Sequence, residues 1–468
     1  MTGTPRVRRR PEVGDPAPWR FPEPARAELP NGLQLLLVDL PGQHVLSLRV
    51  ALRAPLAQEE PGREGSTLMM ARCLDEGTRS RTATELAELA ERHGIALGAG
   101  AGERRVHLGL EVTGRHLGTA LDLLVECLAE PTFPEAEVTR QVRHRLTDIA
   151  HELADPTGRA QREFREAYFA AGERARVPVG GSTASVATLT PQMLRERHEA
   201  LTPHGGVVVL AGDLSGIEDP VGLISATVGA WRPAGAPVDD GPRQSLRADD
   251  AARVLLVPRE GAGQTELLLG RRGPDRRTPH GWGTYQALAL LLGGAPHSRL
   301  DRVLREERGW TYGMRLGFRP RQVGGQCVVA GAVRADATLP ALQETLRILD
   351  TPGSELGERE VREAADFVAM TAPARYLTAD SVADELVSLL ADGLGPDTVT
   401  STLRQLRELT REQAARAWEE VRTGPGWTVV VVGDPEAIAP VMDAGLGPVQ
   451  VAGASPLSPR PGSPPPGS

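Results

Sequence analysis

The sequence predicts an α+β fold built from two homologous halves, each a mainly antiparallel sheet backed by helices. Residues 189–213 and 409–434 both read as a Thr-initiated helix, a Gly-containing turn and an apolar strand that ends in Gly-Asp. Their Leu-Thr starts lie 220 residues apart and their Gly-Asp ends 221 apart, and this nearly constant offset indicates an internal duplication. Within each half, strands come early and late with helices between them, which is typical of an α+β fold.

The elements of the first half follow from apolar periodicity and capping signals. Thr82 and Glu85 have the spacing of a capping box and start one helix. The run from Val106 to Val112 alternates between apolar and other residues, as a half-buried strand does. The predicted strands are 33–40, 45–52 and 105–112, and the predicted helices are 65–76, 83–93, 116–129, 134–153 and 157–170.

The second half repeats this order. Its predicted strands are 253–258, 265–270 and 326–333, and its predicted helices are 282–292, 297–308 and several between 338 and 420. Turn formers without periodicity predict a linker, and the Pro/Ser/Gly-rich end predicts a disordered tail. The predicted organisation is a flexible leader 1–24, an N-terminal domain 25–232, a linker 233–250, a C-terminal domain 251–451 and a tail 452–468.

Composition excludes several classes of function. Cations number 53 against 61 acids, so the net charge of -8 gives no electrostatic footprint for nucleic acid. All of these cations are Arg, which excludes Schiff-base and P-loop chemistry that needs a lysine. No apolar run is long enough for a membrane-spanning helix. Three widely spaced cysteines, Cys73, Cys127 and Cys327, predict buried thiols and a cytoplasmic location.

Common catalytic and binding motifs are absent from the sequence: it has no GxGxxG or Walker loop, no GxSxG, no CxxC and neither HExxH nor HxxEH. His144, Asp148 and His151 are spaced i, i+4 and i+7, so one helix face could present them to a metal ion. The alternative is a solvated face, because the cations nearby would repel a divalent ion: these are Arg140, Arg143 and Arg145.

Several segments, taken together and in order, resemble one known family. They are Leu29–Leu33, Gly65–Thr78, Asp148–Pro156, the repeat that starts at Leu189, and the stretch from Ser298 to Tyr312. The sequence is similar over roughly 25–450 to the inverzincin metallopeptidases, the family of pitrilysin, insulysin and the mitochondrial processing peptidase. The resemblance implies this family's duplicated α+β fold.

The zinc motif of that family is missing here. In the family, the two His residues of HxxEH bind zinc and the Glu activates water. The matching positions read Leu68, Ala71 and Arg72, and the later carboxylate ligand falls at Asp148, 76 residues beyond Arg72. We therefore expect no metal and no cofactor in this chain, and a lone carboxylate at Asp148.

The family's Arg/Tyr pair is kept, as Arg305 and Tyr312. The resemblance implies that the two side chains contact the backbone of a peptide and its polarised scissile carbonyl. A guanidinium keeps its charge and a phenol donates one directed hydrogen bond, so both suit a developing oxyanion. Gly309 is expected to end the helix and Tyr312 to enter a strand. The alternative is that Arg305 lies on an exposed helix face and that Tyr312 is a half-buried strand aromatic.

Loss of the zinc motif with retention of the Arg/Tyr pair resembles the non-catalytic subunit of two-chain bacterial members. The resemblance implies half of a clam-shell, a homologous partner bearing HxxEH and its zinc, and a peptide substrate. The net charge and the lack of a long apolar run predict no nucleic-acid or membrane partner. Gly98, Gly100 and Gly102 lie where the family binds peptide at an edge strand, and three glycines weaken such a strand. The alternative is a catalytically inactive assembly core of the same fold.

Overall fold

The structure is a computed structural model, and it describes residues 19–233, 235, 253–321 and 325–452. Two sheets of six strands lie in the two predicted halves, and helices cover both. The fold class predicted from the sequence is therefore confirmed. Most of the linker 233–250, the tail 453–468 and leader residues 1–18 lie outside the described residues, so the domain limits stay a prediction.

The first half carries six strands and eight α-helices within the described residues. Its strands are β1 (Ala25–Glu28), β2 (Gln34–Asp39), β3 (Val45–Arg53), β4 (Ala96–Ala101), β5 (Arg105–Thr113) and β6 (Val207–Gly212). Its helices are α1 (Ser66–Arg72), α2 (Ala83–His93), α3 (Leu117–Ala129), α4 (Glu135–Ala154), α5 (Pro156–Tyr168), α6 (Thr183–Val186), α7 (Pro191–Glu199) and α8 (Pro220–Ala226). The predicted capping box of Thr82 and Glu85 starts α2.

The second half repeats most of this order. Its strands are β7 (Arg253–Pro258), β8 (Gln264–Gly273), β9 (Arg315–Arg319), β10 (Gly325–Arg334), β11 (Thr428–Gly433) and β12 (Val449–Val451). Its helices are α9 (Trp282–Ala289), α10 (Arg299–Asp301), α11 (Thr338–Leu349), α12 (Glu358–Arg375), α13 (Ala379–Ala391), α14 (Thr398–Glu408), α15 (Arg411–Arg422) and α16 (Pro435–Ile438). Two π-helical turns, Leu290–Gly294 and Arg302–Glu307, extend α9 and α10.

The two sheets share one topology, as a duplication predicts. Their strand orders are β1-β2-β6-β3-β5-β4 and β12-β7-β11-β8-β10-β9. The repeated strands that end in Gly-Asp, β6 and β11, occupy the same third place, each between a parallel and an antiparallel neighbour. Strands β4 and β9 form corresponding edges. The copies differ at the other edge, where β1 runs antiparallel to its neighbour and β12 parallel.

Each half lends one helix to the other half's sheet. Helix α5 packs on β8 and β11, where Phe164 lies against Leu268 and Val430 in one buried cluster. Helix α13 packs on β3 and β6 of the first sheet. The exchanged helices are equivalent under the duplication, since their starts at 156 and 379 differ by nearly the same offset as the repeated segments.

The face of β8 that receives α5 is shaped for it. Residues two apart along a strand share a face, so Glu266, Leu268 and Gly270 all point towards α5. A Cβ on Gly270 would lie 2.2 Å from the ring of Phe164, which no real contact permits. Glu266 is only 6% exposed although it is ionisable. The interface between α5 and β8 therefore contains a close contact between Gly270 and Phe164 and the buried carboxyl group of Glu266.

The first described residues of the chain contact the second half. Phe21 is 5% exposed, and its backbone N–H donates to Thr400 Oγ1 at 3.2 Å. Trp19 stacks on Tyr376 with ring centres 5.7 Å apart. Trp19 and Phe21, which the sequence placed in a flexible leader, therefore pack against the second half. Among the described helices, none has the length and apolar character needed to cross a membrane.

Candidate functional site

The helix that corresponds to the family's zinc-binding helix is α1, and its start is held by a buried carboxylate. Glu59 accepts hydrogen bonds from the backbone N–H groups of Gly65 at 3.2 Å and Thr67 at 2.8 Å. Arg174 Nη2 lies 2.6 Å from the same carboxylate. A negative charge at a helix N-terminus is favourable, because the first N–H groups have no partner within the helix. The helix is thus fixed in place without a metal.

Where the family has zinc ligands, this chain has an ion pair. Arg72 Nη1 lies 3.2 Å from Asp148 Oδ2, and Arg145 Nη1 approaches the same oxygen at 4.0 Å. The sequence placed Arg72 and Asp148, 76 residues apart, at two ligand positions of the family. In the structure these residues are in contact, and their ion pair joins α1 to α4. Asp148, expected as the one remaining carboxylate of the ligand set, is paired here with the guanidinium at a lost ligand position.

Zinc does not fit this arrangement. The two His positions offer an apolar Leu68 and a cation at Arg72, and the position of the water-activating Glu holds a fully buried Ala71. In the described part of the chain, no group of three or more His, Cys, Asp or Glu side chains is placed to hold a metal ion. His144 and His151 are exposed on α4, and the second guanidinium beside Asp148 further disfavours a divalent cation.

The solvated-face interpretation of α4 needs one correction. Arg145 is buried rather than solvated: it pairs with Glu152 at 2.6 Å and donates to the carbonyl of Gly180 at 3.0 Å. Arg140 binds Glu76 and Glu137. These cations therefore anchor α4 to its surroundings.

A cavity of about 510 Å³ opens beside the ion pair. The edge strand β4 forms one wall through Gly98 and Ala99, and α4 forms another. Its lining residues are Arg72, Asp75, Glu76, Gly98, Ala99, Gln141, His144, Thr147, Asp148 and His151. The lining carries both signs of charge, with the guanidinium of Arg72 near the carboxylates of Asp75, Glu76 and Asp148.

Arg305 lies on the exposed side of a short helix whose N-terminal end is anchored by two contacts. Ser298 caps its start, and Arg299 forms a bidentate ion pair with Glu360 of α12 at 3.1 and 2.7 Å. Leu300 and Leu304 are fully buried beneath it. Arg305 belongs to the π-helical turn and points to solvent, and its side chain has no hydrogen-bond or ion-pair partner among the described residues. Such turns are frequent at functional sites.

Tyr312 is 89% exposed, although Thr311 just before it and Met314 two residues after it are buried. Gly309 ends the helix in a left-handed conformation, with φ of 64°, as the sequence predicted. Thr311 pairs with Val333 as an isolated bridge, and Met314 is buried. The expected entry of Tyr312 into a strand is wrong, because β9 begins only at Arg315. A half-buried strand aromatic is excluded as well.

The two side chains lie on consecutive elements but do not touch. No hydrogen bond or cation–π contact joins Arg305 to Tyr312 in the part of the chain that the structure describes. Both groups are therefore available as donors to a molecule outside this chain. A guanidinium and a phenol can stabilise negative charge that develops on a carbonyl oxygen.

Sequence reasoning missed Asp301, which is fully buried beneath this site. Its carboxylate accepts from Met314 N and from Arg315 Nη1. The available signal was a carboxylate placed next to Leu300 on an otherwise apolar stripe of helix. Arg72 as the partner of Asp148 could likewise have been inferred from the lost ligand positions.

Comparison with known proteins agrees with this geometry. The model described as "Insulinase (Peptidase family M16)" matches residues 35–174, and the model described as "Peptidase M16 inactive domain" matches residues 188–366. An uncharacterized zinc protease of Mycobacterium tuberculosis is 31% identical over 298 residues, which are 62% of this chain. The chain spans 65% of the length of that relative.

Solved structures share the fold. A peptidase M16 inactive domain from Pseudomonas fluorescens superposes with a TM-score of 0.80 at 22% identity, covering 88% of this chain and 98% of that one. A protease from Helicobacter pylori gives a TM-score of 0.81 at 17% identity, covering 88% and 100%. The first model lies within the first half, whereas the second begins near the end of the first half and extends into the second. The chain therefore belongs to the peptidase M16 (insulinase) family, as a member without the HxxEH zinc motif.

Proposed function

We propose that this chain is the non-catalytic subunit of a two-chain zinc endopeptidase. A homologous partner bearing HxxEH would hold the zinc and activate the water. This chain would supply Arg305 and Tyr312 in trans, and its cavity beside β4 would contact the peptide. It would have no peptidase activity alone, because the positions of the zinc ligands are occupied by Leu68 and by the Arg72–Asp148 pair.

The exposed but firmly held Tyr312 is the observation that carries the proposal. The Tyr312 side chain is 89% exposed, so its ring adds almost no hydrophobic stabilisation to this chain. Thr311 and Met314, on either side of it, are buried. Arg305 is likewise exposed and has no side-chain partner among the described residues. Preorganised donors aimed at developing charge are worth more than mobile ones, because they need no reorganisation during the reaction.

The test is co-expression with a homologous HxxEH chain, followed by purification of the complex and cleavage of a peptide mixture. Tyr312→Phe removes only the hydroxyl, and Arg305→Ala removes the exposed guanidinium together with the stem beyond Cβ. Loss of one oxyanion donor costs about 100- to 1,000-fold in kcat. We expect decreases of about that size for each variant, with the complex still formed.

A matched control is Arg302→Ala, which removes another exposed guanidinium from the same turn. Its activity should stay close to that of the unmodified complex. Unchanged cleavage in both Arg305→Ala and Tyr312→Phe would refute the co-catalytic role. Stoichiometric zinc and peptidase activity in the isolated chain would refute the whole proposal.

The runner-up is a catalytically inactive assembly core of the same fold. The Arg72–Asp148 pair favours it, because an ion pair ties α1 to α4 without leaving a reactive group. In that case the complex would form with its partner, but cleavage would not depend on Arg305 or Tyr312. The same two variants therefore distinguish the two functions.

A cytoplasmic location is part of the proposal. Cys73, Cys127 and Cys327 are all buried free thiols. Burial raises the pKa of each thiol to about 12, so these cysteines remain protonated and unreactive. Unpaired cysteines of this kind are usual in reducing compartments.

A further inference from the structure

We propose that Asp301 is a positioning residue, which fixes the turn that carries Tyr312 relative to the helix that carries Arg305. This inference rests on the proposed function, because positioning matters only if the two side chains act together. Asp301 itself touches neither substrate nor zinc partner, since it is 0% exposed.

The contacts of Asp301 join two elements that the chain connects only through a turn. Its Oδ1 accepts from the backbone N–H of Met314 at 3.0 Å, and its Oδ2 accepts from Arg315 Nη1 at 2.6 Å. Asp301 stands one residue before the π-helical turn with Arg305, and Met314 stands two residues after Tyr312. One carboxylate therefore bridges the two functional segments from below.

The buried carboxylate of Asp301 depends on keeping its two hydrogen-bond partners. A buried charge is tolerated when it is paired and hydrogen-bonded, and it is costly when it is not. Met314 and Arg315 are the partners that satisfy it, and Arg315 can reach it because the arginine side chain remains half exposed. Movement of the Tyr312 turn would break both contacts at once.

A second contact holds the other side of the same turn. Thr311 Oγ1 donates to the carbonyl of Ala332 at 2.6 Å and accepts from Gly313 N at 3.0 Å. Tyr312 is thus fixed on one side by Thr311 and β10, and on the other side by Asp301. Only the phenol ring is left free, which suits a donor that must be aimed at a partner's substrate.

The experiment compares Asp301→Ala, Asp301→Asn and Arg315→Gln with the unmodified full-length chain in complex with its HxxEH partner. Asp301→Asn keeps an acceptor for Met314 N but loses the charge that Arg315 needs. Arg315→Gln changes only a half-exposed residue, so it remains informative if Asp301→Ala fails to fold. Asp336→Asn is the matched control, because Asp336 pairs with Arg334 on the exposed surface of the same half.

Hydrogen exchange of the backbone amides of residues 309–315 is the first measurement, and it needs no activity. A hydrogen bond to a charged group contributes enough for its loss to speed local opening by about tenfold or more. We expect that acceleration in Asp301→Ala, a smaller one in Asp301→Asn and Arg315→Gln, and none in Asp336→Asn. Unchanged exchange in Asp301→Ala and Arg315→Gln would overturn the inference.

The second measurement separates positioning from plain structural support. In the complex, kcat should fall about tenfold or more in Asp301→Ala while KM for the peptide stays within about twofold, with partial rescue in Asp301→Asn. Faster exchange with unchanged kcat would overturn the positioning role. A wild-type complex that cleaves nothing would refute the proposed function, and hydrogen exchange alone would then decide whether Asp301 fixes the turn.

Discussion

Glu266 offers a quantitative test of the helix exchange between the halves. It lies on β8 beneath α5, and burial raises the pKa of its carboxyl from 4.5 to about 7. The charge of Asp155 raises this pKa further, while a hydrogen bond with Thr157 opposes the shift. Replacing Glu266 with glutamine keeps the shape of the side chain and an acceptor for Thr157, but the amide cannot ionise.

The expected effect follows from the two pKa values. The unfolded chain loses the Glu266 proton above about pH 4.5, whereas the folded chain holds it until about pH 7. Stability is therefore lost as the pH rises through this window, and the loss is complete above it. A pKa raised from 4.5 to about 7 corresponds to about 3 to 4 kcal/mol, since one pH unit is worth about 1.4 kcal/mol. Glu266→Gln should be more stable than the unmodified chain by up to that amount at pH 8, and equal to it near pH 4.

The assay is urea denaturation of both chains at several pH values between 4 and 8, followed by circular dichroism. Glu260→Gln is the matched control, because Glu260 is exposed in the turn just before β8. It should show no difference that grows with pH. A Glu266→Gln variant whose advantage stays constant from pH 4 to pH 8, or which is less stable at pH 8, would refute the placement of a buried, protonated carboxyl beneath α5.

Two other predictions concern the same interface and the metal. Gly270→Ala should lower stability by about 3 kcal/mol or more, because its Cβ would overlap the Phe164 ring of the exchanged helix. Denaturation of the alanine variant measures this, and stability equal to that of the unmodified chain would contradict the tight fit. A strong chelator should abolish peptide cleavage by the two-chain complex but leave the melting temperature of this chain alone unchanged. A chelator-dependent melting temperature of the isolated chain would show a structural metal that the ion pair at Arg72 and Asp148 does not allow.

The sequence predicted the repeated architecture because the duplication preserves local patterns. Apolar strands such as β6 and β11 and the Thr82–Glu85 capping box depend only on neighbouring residues. Strand β9 was missed because Arg315–Arg319 is only five residues long and has Gly317 at its centre, so its two apolar residues give too short a pattern to predict a strand. The π-helical turn around Arg305 was missed because it depends on how Leu300 and Leu304 pack below it.

The sequence predicted which residues form the candidate site, but not their exposure or their contacts. The family resemblance selected Arg305 and Tyr312, yet the exposure of Tyr312 follows from the contacts of Thr311 and Met314 with distant residues. No local pattern reveals that α5 covers the sheet of the other half, because its apolar face would fit either sheet. Asp148 differs in this respect: its partner Arg72 is 76 residues away, but the family resemblance had already placed both residues at positions of the lost zinc ligands.

The mutual exchange of α5 and α13 has a consequence for any attempt to divide this molecule. A single cut in the chain between residues 233 and 253 would separate the covalent halves but leave each fragment's helix seated on the other fragment's sheet. The fragments should therefore remain associated after cleavage and unfold together. Either one expressed alone would expose an apolar sheet face and aggregate, so in this protein the smallest self-sufficient unit is the pair of repeats.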